Sequence, residues 1–271
     1  MKRPRLPRRK PKTKRDVSPL PSIVSLIARP WRVLWGHKLV ILAIVAVIEI
    51  PSYFFLPKPT NGSTSNLDAY GNFAAIFMNV ALLYAAAIWN GGASVRFKQA
   101  YYCSSAFIVR YLLASIVVVL GLIPALIGVI LFVASTSLTA FVGPATGATA
   151  VVALIAIVLS LPSIWFITRF LLAPVAVVAS DLTPIDALRR SRNLSLGRFW
   201  RVLSRLIMLL AVTFLIGGAL GLPSYLITLA APAAGSFMSA TFELAFVFIW
   251  LPYATVYLVT LYRDMETAEA V

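Results

Sequence analysis

The chain has 271 residues, 60% of them hydrophobic and only 12% charged, with a formal net charge of +15 and a mean hydropathy of +0.89. A soluble domain keeps roughly a quarter of its residues charged to stay wet, so this composition excludes an ordinary water-soluble fold and points to the membrane class. With one cysteine, Cys103, and one histidine, His37, a disulfide framework, a thiolate cage and a His-pair metal site are excluded as well. No metal and no cofactor is expected.

Residues 1–21 alternate basic residues with proline, from Lys2, Arg3 and Pro4 to Lys10 and Pro11. Like charges repel and proline disfavours helix, so this stretch reads as a disordered, cytoplasmic basic arm. Nine of the 24 Lys and Arg residues lie between Lys2 and Arg15. In a soluble protein such charge would indicate nucleic acid. Beside apolar runs it indicates topology and lipid contact, so nucleic acid is not the expected partner. The first apolar run starts only at Leu39 and is too long for the hydrophobic region of a signal peptide.

Six apolar runs follow: Leu39–Leu56, Asn72–Asn90, Val109–Ala134, Thr149–Leu172, Leu203–Ala230 and Ala240–Leu261. Each approaches the roughly 20 helical residues that cross a hydrocarbon core. The expected fold class is therefore all-α, a polytopic membrane helical bundle of about six transmembrane helices. The membrane domain spans 22–264, and 265–271 form a short cytoplasmic tail. With the amino terminus inside, inner segments collect 12 Lys/Arg through Lys38, three at Arg96, Lys98 and Arg110, seven from Arg169 through Arg205, and one at Arg263. Only Lys58 falls outside, which places both termini in the cytoplasm by the positive-inside rule.

Trp31-Arg32-Val33-Leu34 precedes the first run and Trp200-Arg201-Val202-Leu203 the fifth, and Val109-Arg110-Tyr111-Leu112 occupies a similar place at the start of the third. They predict three helical-hairpin repeats, each with an interfacial, basic lead-in helix. The segment after the fourth run is the most informative. Thr183-Pro184-Ile185-Asp186 carries an N-cap threonine, proline at the first helical position and an acid three residues past the cap, a helix start running to about Asn193. Ser195 is then placed to cap the next helix.

This region holds the candidate site residues. Arg169, Arg189, Arg190, Arg192, Arg198 and Arg201 are candidates for binding lipid phosphate, which a guanidinium fork matches well; the alternative is that they only fix topology. Glu49 and Glu243 are acids within apolar runs, costly at membrane depth and so candidates for a shared proton or substrate site. The bland reading places each at the wet end of its run. Arg169 has three expectations: snorkelling inward, pairing with Asp181 or Asp186, or binding phosphate. Trp31, Trp35, Phe199, Trp200 and Tyr253 read as interface anchors. Pro124, Pro162, Pro223 and Pro252 interrupt four runs, and Gly217 with Gly221 predicts a close-packed helix face in the fifth.

Catalytic signatures are missing. There is no Gly-x-Ser-x-Gly elbow, no phosphate-binding Gly-rich loop with lysine, no His-Glu-x-x-His and no cysteine cluster. The expected activity is non-enzymatic: engagement of anionic phospholipid, of a membrane-protein partner or of a second copy in a homo-oligomer, through a basic cytoplasmic face. Two other classes remain, a small transporter using Glu49 and Glu243, and an adaptor binding an acidic partner through residues 1–21.

The run Arg169-Phe170-Leu171-Leu172-Ala173-Pro174-Val175-Ala176-Val177-Val178 is followed by Ala187-Leu188-Arg189-Arg190-Ser191 and Gly197-Arg198-Phe199-Trp200-Arg201-Val202-Leu203. Together with the ending Leu261-Tyr262-Arg263-Asp264, it resembles the membrane domain fused to some glycerophosphoryl diester phosphodiesterases and found alone in related bacterial membrane proteins. The likeness covers roughly the last hundred residues, and Asp181 stands near the acidic position usual after the Ala-Pro-Val run. It implies a bacterial cytoplasmic membrane and proximity to phospholipid metabolism. Because these residues include no hydrolase domain, phosphodiesterase activity is not implied.

Overall fold

The structure, a computed structural model, describes residues 23–55, 66–142, 146–230 and 232–269. The basic arm lies outside the described residues. Among the described residues the chain is helical throughout, with no strand: α1 (Ile23–Gly36), α2 (Lys38–Phe55), α3 (Asn66–Trp89), α4 (Phe97–Ser104), α5 (Ile108–Leu120), α6 (Ile123–Val142), α7 (Thr146–Phe170), α8 (Ala173–Ser180), α9 (Pro184–Ser195), α10 (Phe199–Ala230) and α11 (Pro232–Glu269). A 3-10 turn, Ser105–Phe107, joins α4 to α5.

Four stretches are long and apolar enough to cross a membrane: Phe97–Leu120, Ala150–Ser180, Phe199–Ala230 and Leu244–Glu269. A fifth arises if α1 and α2, bent by 82° at their junction, are taken as one broken span. The expected run Val109–Ala134 is divided at Gly121-Leu122, and its second half becomes α6. The cause is local. Pro124 sits in the first turn of α6 and has no N–H to return to the carbonyl of Leu120. Within the bilayer freed backbone groups must find partners, and the next donor, the amide of Ala125, reaches the Ser163 hydroxyl of α7 at 3.0 Å. Helices α7, α10 and α11, by contrast, run through Pro162, Pro223 and Pro252.

The packed core sits at one end of the bundle. It is built from the second half of α3 (Met78 to Trp89), all of α8, one face of α2 (Ile41, Ile44, Val45) and α11 from Tyr253 to Met265. Alanine is frequent where these helices meet, at Ala81, Ala85, Ala86 and Ala87 of α3 and Ala173, Ala176 and Ala179 of α8. Small side chains let backbones approach, which is how helices associate when lipid is as apolar as their own side chains. Cys103 is buried in this core as a small residue. Elsewhere apolar faces are bare: Phe214 is 72% and Leu215 71% exposed on α10. A continuous surface of this kind is sticky in water and ordinary in lipid.

Helices α6 and α7 pack along one another antiparallel, as do α10 and α11. The close approach in the first pair is at Gly128, where an added Cβ would lie 2.9 Å from the Ala156 carbonyl oxygen. The predicted small-residue face at Gly217 and Gly221 is not such a contact. A Cβ at Gly217 would meet only Phe246, at 3.6 Å, and one at Gly221 would meet nothing within 4 Å. Residues 265–269, expected as a tail, continue α11, with Met265 buried in the core.

Candidate functional site: a basic helix end

The candidate arginines gather where α9 and the start of α10 meet the end of α11. Helix α9 begins as its sequence demands. The Thr183 side-chain oxygen accepts from the Asp186 amide at 3.3 Å, its hydroxyl donates to Asp186 Oδ2 at 2.6 Å, and Pro184 takes the first position. Thr183→Ala removes this cap and is expected to cost about 1 kcal/mol, visible as a lower thermal midpoint in detergent; an unchanged midpoint would mean that α9 is held by tertiary contacts alone. The expected N-cap at Ser195 is corrected. Ser195 ends α9, its hydroxyl donates to the Arg192 carbonyl at 2.8 Å, and α10 begins at Phe199 after Gly197. Gly197 has φ +71°, a left-handed turn that a side chain would strain.

Several of the arginines are engaged by the protein itself. Arg190 forms an ion pair with Glu269. Arg198 donates to the Ala268 carbonyl at 2.9 Å, near the negative end of α11. Arg189 faces Asp186 at 3.9 Å, one turn back on α9. Arg263 donates to Glu266 at 3.1 Å and to the Ala179 carbonyl at 3.2 Å. Arg169 pairs with neither Asp181 nor Asp186. Its guanidinium lies 4.4 Å from the centre of the Trp165 ring, while its carbonyl accepts from the Ser191 hydroxyl at 2.7 Å. Asp181, held at φ 51° by its position after α8, pairs instead with Arg110 at 2.9 Å.

Arg192 and Arg201 are exposed, and neither makes an ion pair or hydrogen bond through its guanidinium among the described residues. Around them the apolar Ile185, Leu196 and Trp200 are also exposed, Trp200 by 77%. Surface arginines interleaved with an exposed tryptophan and aliphatic groups match the chemistry of a headgroup layer, charged outside and apolar beneath.

Glu49 is half-buried on α2 and has interactions of its own. The side chain of Glu243, on α11, lies outside the described residues, and so does the expected pairing of the two acids. Among the described residues no group of three or more His, Cys, Asp or Glu side chains is placed to hold a metal. His37 lies at the bend between α1 and α2 and stacks on Trp89, ring centres 4.7 Å apart.

Two charged residues, Arg29 and Asp264, had no place among the candidates, and Arg205 stood only at the end of the basic cluster, although the structure puts all three centrally. Arg205 of α10 is 5% exposed and lies within electrostatic reach of Asp264, Tyr257 and Arg201. Asp264, 14% exposed at its side chain, accepts from Arg29 of α1 at 3.3 Å. One signal for Arg205 was present: Arg198, Arg201 and Arg205 follow at three and four residues, one stripe of a helix. Nothing local signals the pairing of Arg29 with Asp264, 235 positions apart.

No curated protein and no solved structure matches this chain. A family model does match, over residues 39–262, from the start of the first apolar run to the buried Tyr262 near the end of the last. The chain belongs to that family, described as a domain of unknown function (DUF7847).

Proposed function

We propose that the protein is a non-enzymatic, multi-pass protein of the bacterial cytoplasmic membrane that engages anionic phospholipid through its basic helix end. The observation that carries this reading is the exposed set Arg192, Arg201, Ile185, Leu196 and Trp200, left over after Arg189, Arg190 and Arg198 have been matched internally. Each unmatched basic residue beside an anionic leaflet contributes on the order of 1 kcal/mol. The positive-inside bias of 23 to 1 assigns this end, and both termini, to the cytoplasm. In this topology the three antiparallel hairpins are α2 with α3, α5–α6 with α7–α8, and α10 with α11, six crossings in all. The resemblance of residues 169–203 to the membrane domain fused to some glycerophosphoryl diester phosphodiesterases, enzymes close to phospholipid metabolism, agrees with a lipid partner.

Native mass spectrometry from nanodiscs of mixed phosphatidylglycerol and phosphatidylcholine tests the proposal. The wild type is expected to carry a shell enriched in phosphatidylglycerol. In R192Q that enrichment is expected to fall roughly fivefold, from one charge at on the order of 1 kcal/mol. An equal, unselective shell in both proteins would reduce Arg192 to a topology determinant.

A further inference from the structure

The stripe Arg198, Arg201 and Arg205 lies along the last turns of α11, and its surroundings hold more positive charge than they match. At its outer end Arg198 donates to the Ala268 carbonyl. At its inner end the Tyr257 hydroxyl donates to the Arg205 carbonyl at 2.8 Å, fixing the register of the two helices. Asp264 stands between these contacts on α11, and Arg29 reaches it from α1 at 3.3 Å. The 82° bend after α1 is what turns that helix away from the line of α2, and α1 packs along α11. The neighbouring acids on α11 are already engaged, Glu266 by Arg263 and Glu269 by Arg190.

Arg29 pairs with Asp264, and Arg205, which has Arg201 beside it, lies within electrostatic reach of the same carboxylate, while Arg198 reaches the end of α11. The dipole at the end of α11 offsets part of the charge on Arg198; the rest is an excess in a partly desolvated place, where charge without a counterion is costly. Arg205 is 5% exposed, whereas the Arg29 side chain is 47% exposed and Arg201 is exposed, so the charges grade from buried to open. Arg205 is six residues into α10, about 9 Å along a helix axis from its start.

We propose that Arg29, Arg201 and Arg205 form a binding site for one phosphate group at the junction of α1, α10 and α11, with Asp264 holding the arginines in register. The ligand is a phosphate monoester or diester, whether borne by a lipid headgroup or free in solution. The guanidinium forks supply paired N–H donors to the phosphate oxygens, and the anion neutralises the excess charge. This site deepens the lipid-engaging reading. It differs from the exposed α9 surface in holding one ligand per chain, tightly.

The test uses the full-length protein in two settings. In nanodiscs containing phosphatidylglycerol, phosphatidic acid and phosphatidylcholine, native mass spectrometry separates the loosely held shell from adducts that survive collisional stripping. In lipid-free zwitterionic detergent, millimolar inorganic phosphate is added and the thermal midpoint is followed. One resistant anionic phospholipid on the wild type, reduced more than tenfold in occupancy in R29Q/R201Q, supports a headgroup site. Stabilisation by inorganic phosphate that R29Q/R201Q abolishes, without a resistant lipid, supports the same site with a soluble ligand. Arg201 is exposed and its guanidinium makes no ion pair or hydrogen bond among the described residues, so R201Q alone is expected to weaken the adduct with the lipid-free thermal midpoint unchanged; R205K, which keeps the buried charge but loses the fork, is expected to weaken the adduct without removing the shell. Equal occupancy in the wild type and R29Q/R201Q, or neither a resistant adduct nor a phosphate response in the wild type, overturns the site. An unselective shell around a protein that still keeps its one resistant lipid would instead remove the surface reading and leave this site standing.

Discussion

Replacing Asp264 by alanine is expected to destabilise the lipid-free protein by about 2–3 kcal/mol, the upper part of the range for leaving a buried polar group without its partner. The magnitude comes from what stays behind. Arg205 is 5% exposed on α10, and without Asp264 its charge has no carboxylate at hand, while Arg29 loses the contact that ties α1 to α11. Tryptophan fluorescence during thermal unfolding in detergent reads the loss directly, because Trp31 packs against Tyr253 of α11 with ring centres 5.2 Å apart. The double variant D264A/R205L is expected to recover much of the loss, because it also removes the buried charge that Asp264 offsets and leaves apolar surface where lipid or core can cover it. A D264A protein within about 1 kcal/mol of the wild type would mean that Arg205 is solvated, well below the cost of a stranded charge.

The second large effect is expected at Gly128. A Cβ there would lie 2.9 Å from the Ala156 carbonyl oxygen and 3.2 Å from its Cα, so the obstacle is backbone and cannot rotate away. Gly128→Val is expected to push α6 from α7 and cost about 1–3 kcal/mol, the usual range for overpacking. Gly221→Val provides the contrast, since its Cβ would meet nothing within 4 Å. Unfolding of the two variants in detergent, side by side, decides which small-residue face packs. Equal midpoints would place the close approach elsewhere.

How much of this was legible in advance depended on how local the cause was. The start of α9 was readable residue by residue, since Thr183, Pro184 and Asp186 act on one another across three positions and the structure shows those same bonds. The division of the third apolar run was less visible. Pro124 announced a break, yet which run it would divide depended on Ser163 being present on α7 to satisfy the freed amide. The candidate site was legible as a set of arginines and not as an arrangement. Sequence alone treated Arg190 and Arg192 alike, whereas α11 takes the first through Glu269 and leaves the second on the surface.

Composition, apolar run length and capping residues therefore determined that the chain is an all-helical membrane protein, where its apolar segments lie and where α9 begins. These follow from hydration of side chains and from hydrogen bonds within one turn of helix, both fixed by neighbours in sequence. Tertiary structure alone decided which face of each helix turns inward. A helix that is apolar all round carries no stripe to say which side is buried, and lipid draws on every side equally. The rotation of α10, α11 and α1 about their own axes is set instead by a few polar contacts: Tyr257 to the Arg205 carbonyl, Arg198 to Ala268, and Arg29 to Asp264. Their partners are 52, 70 and 235 positions apart, beyond the reach of any local pattern.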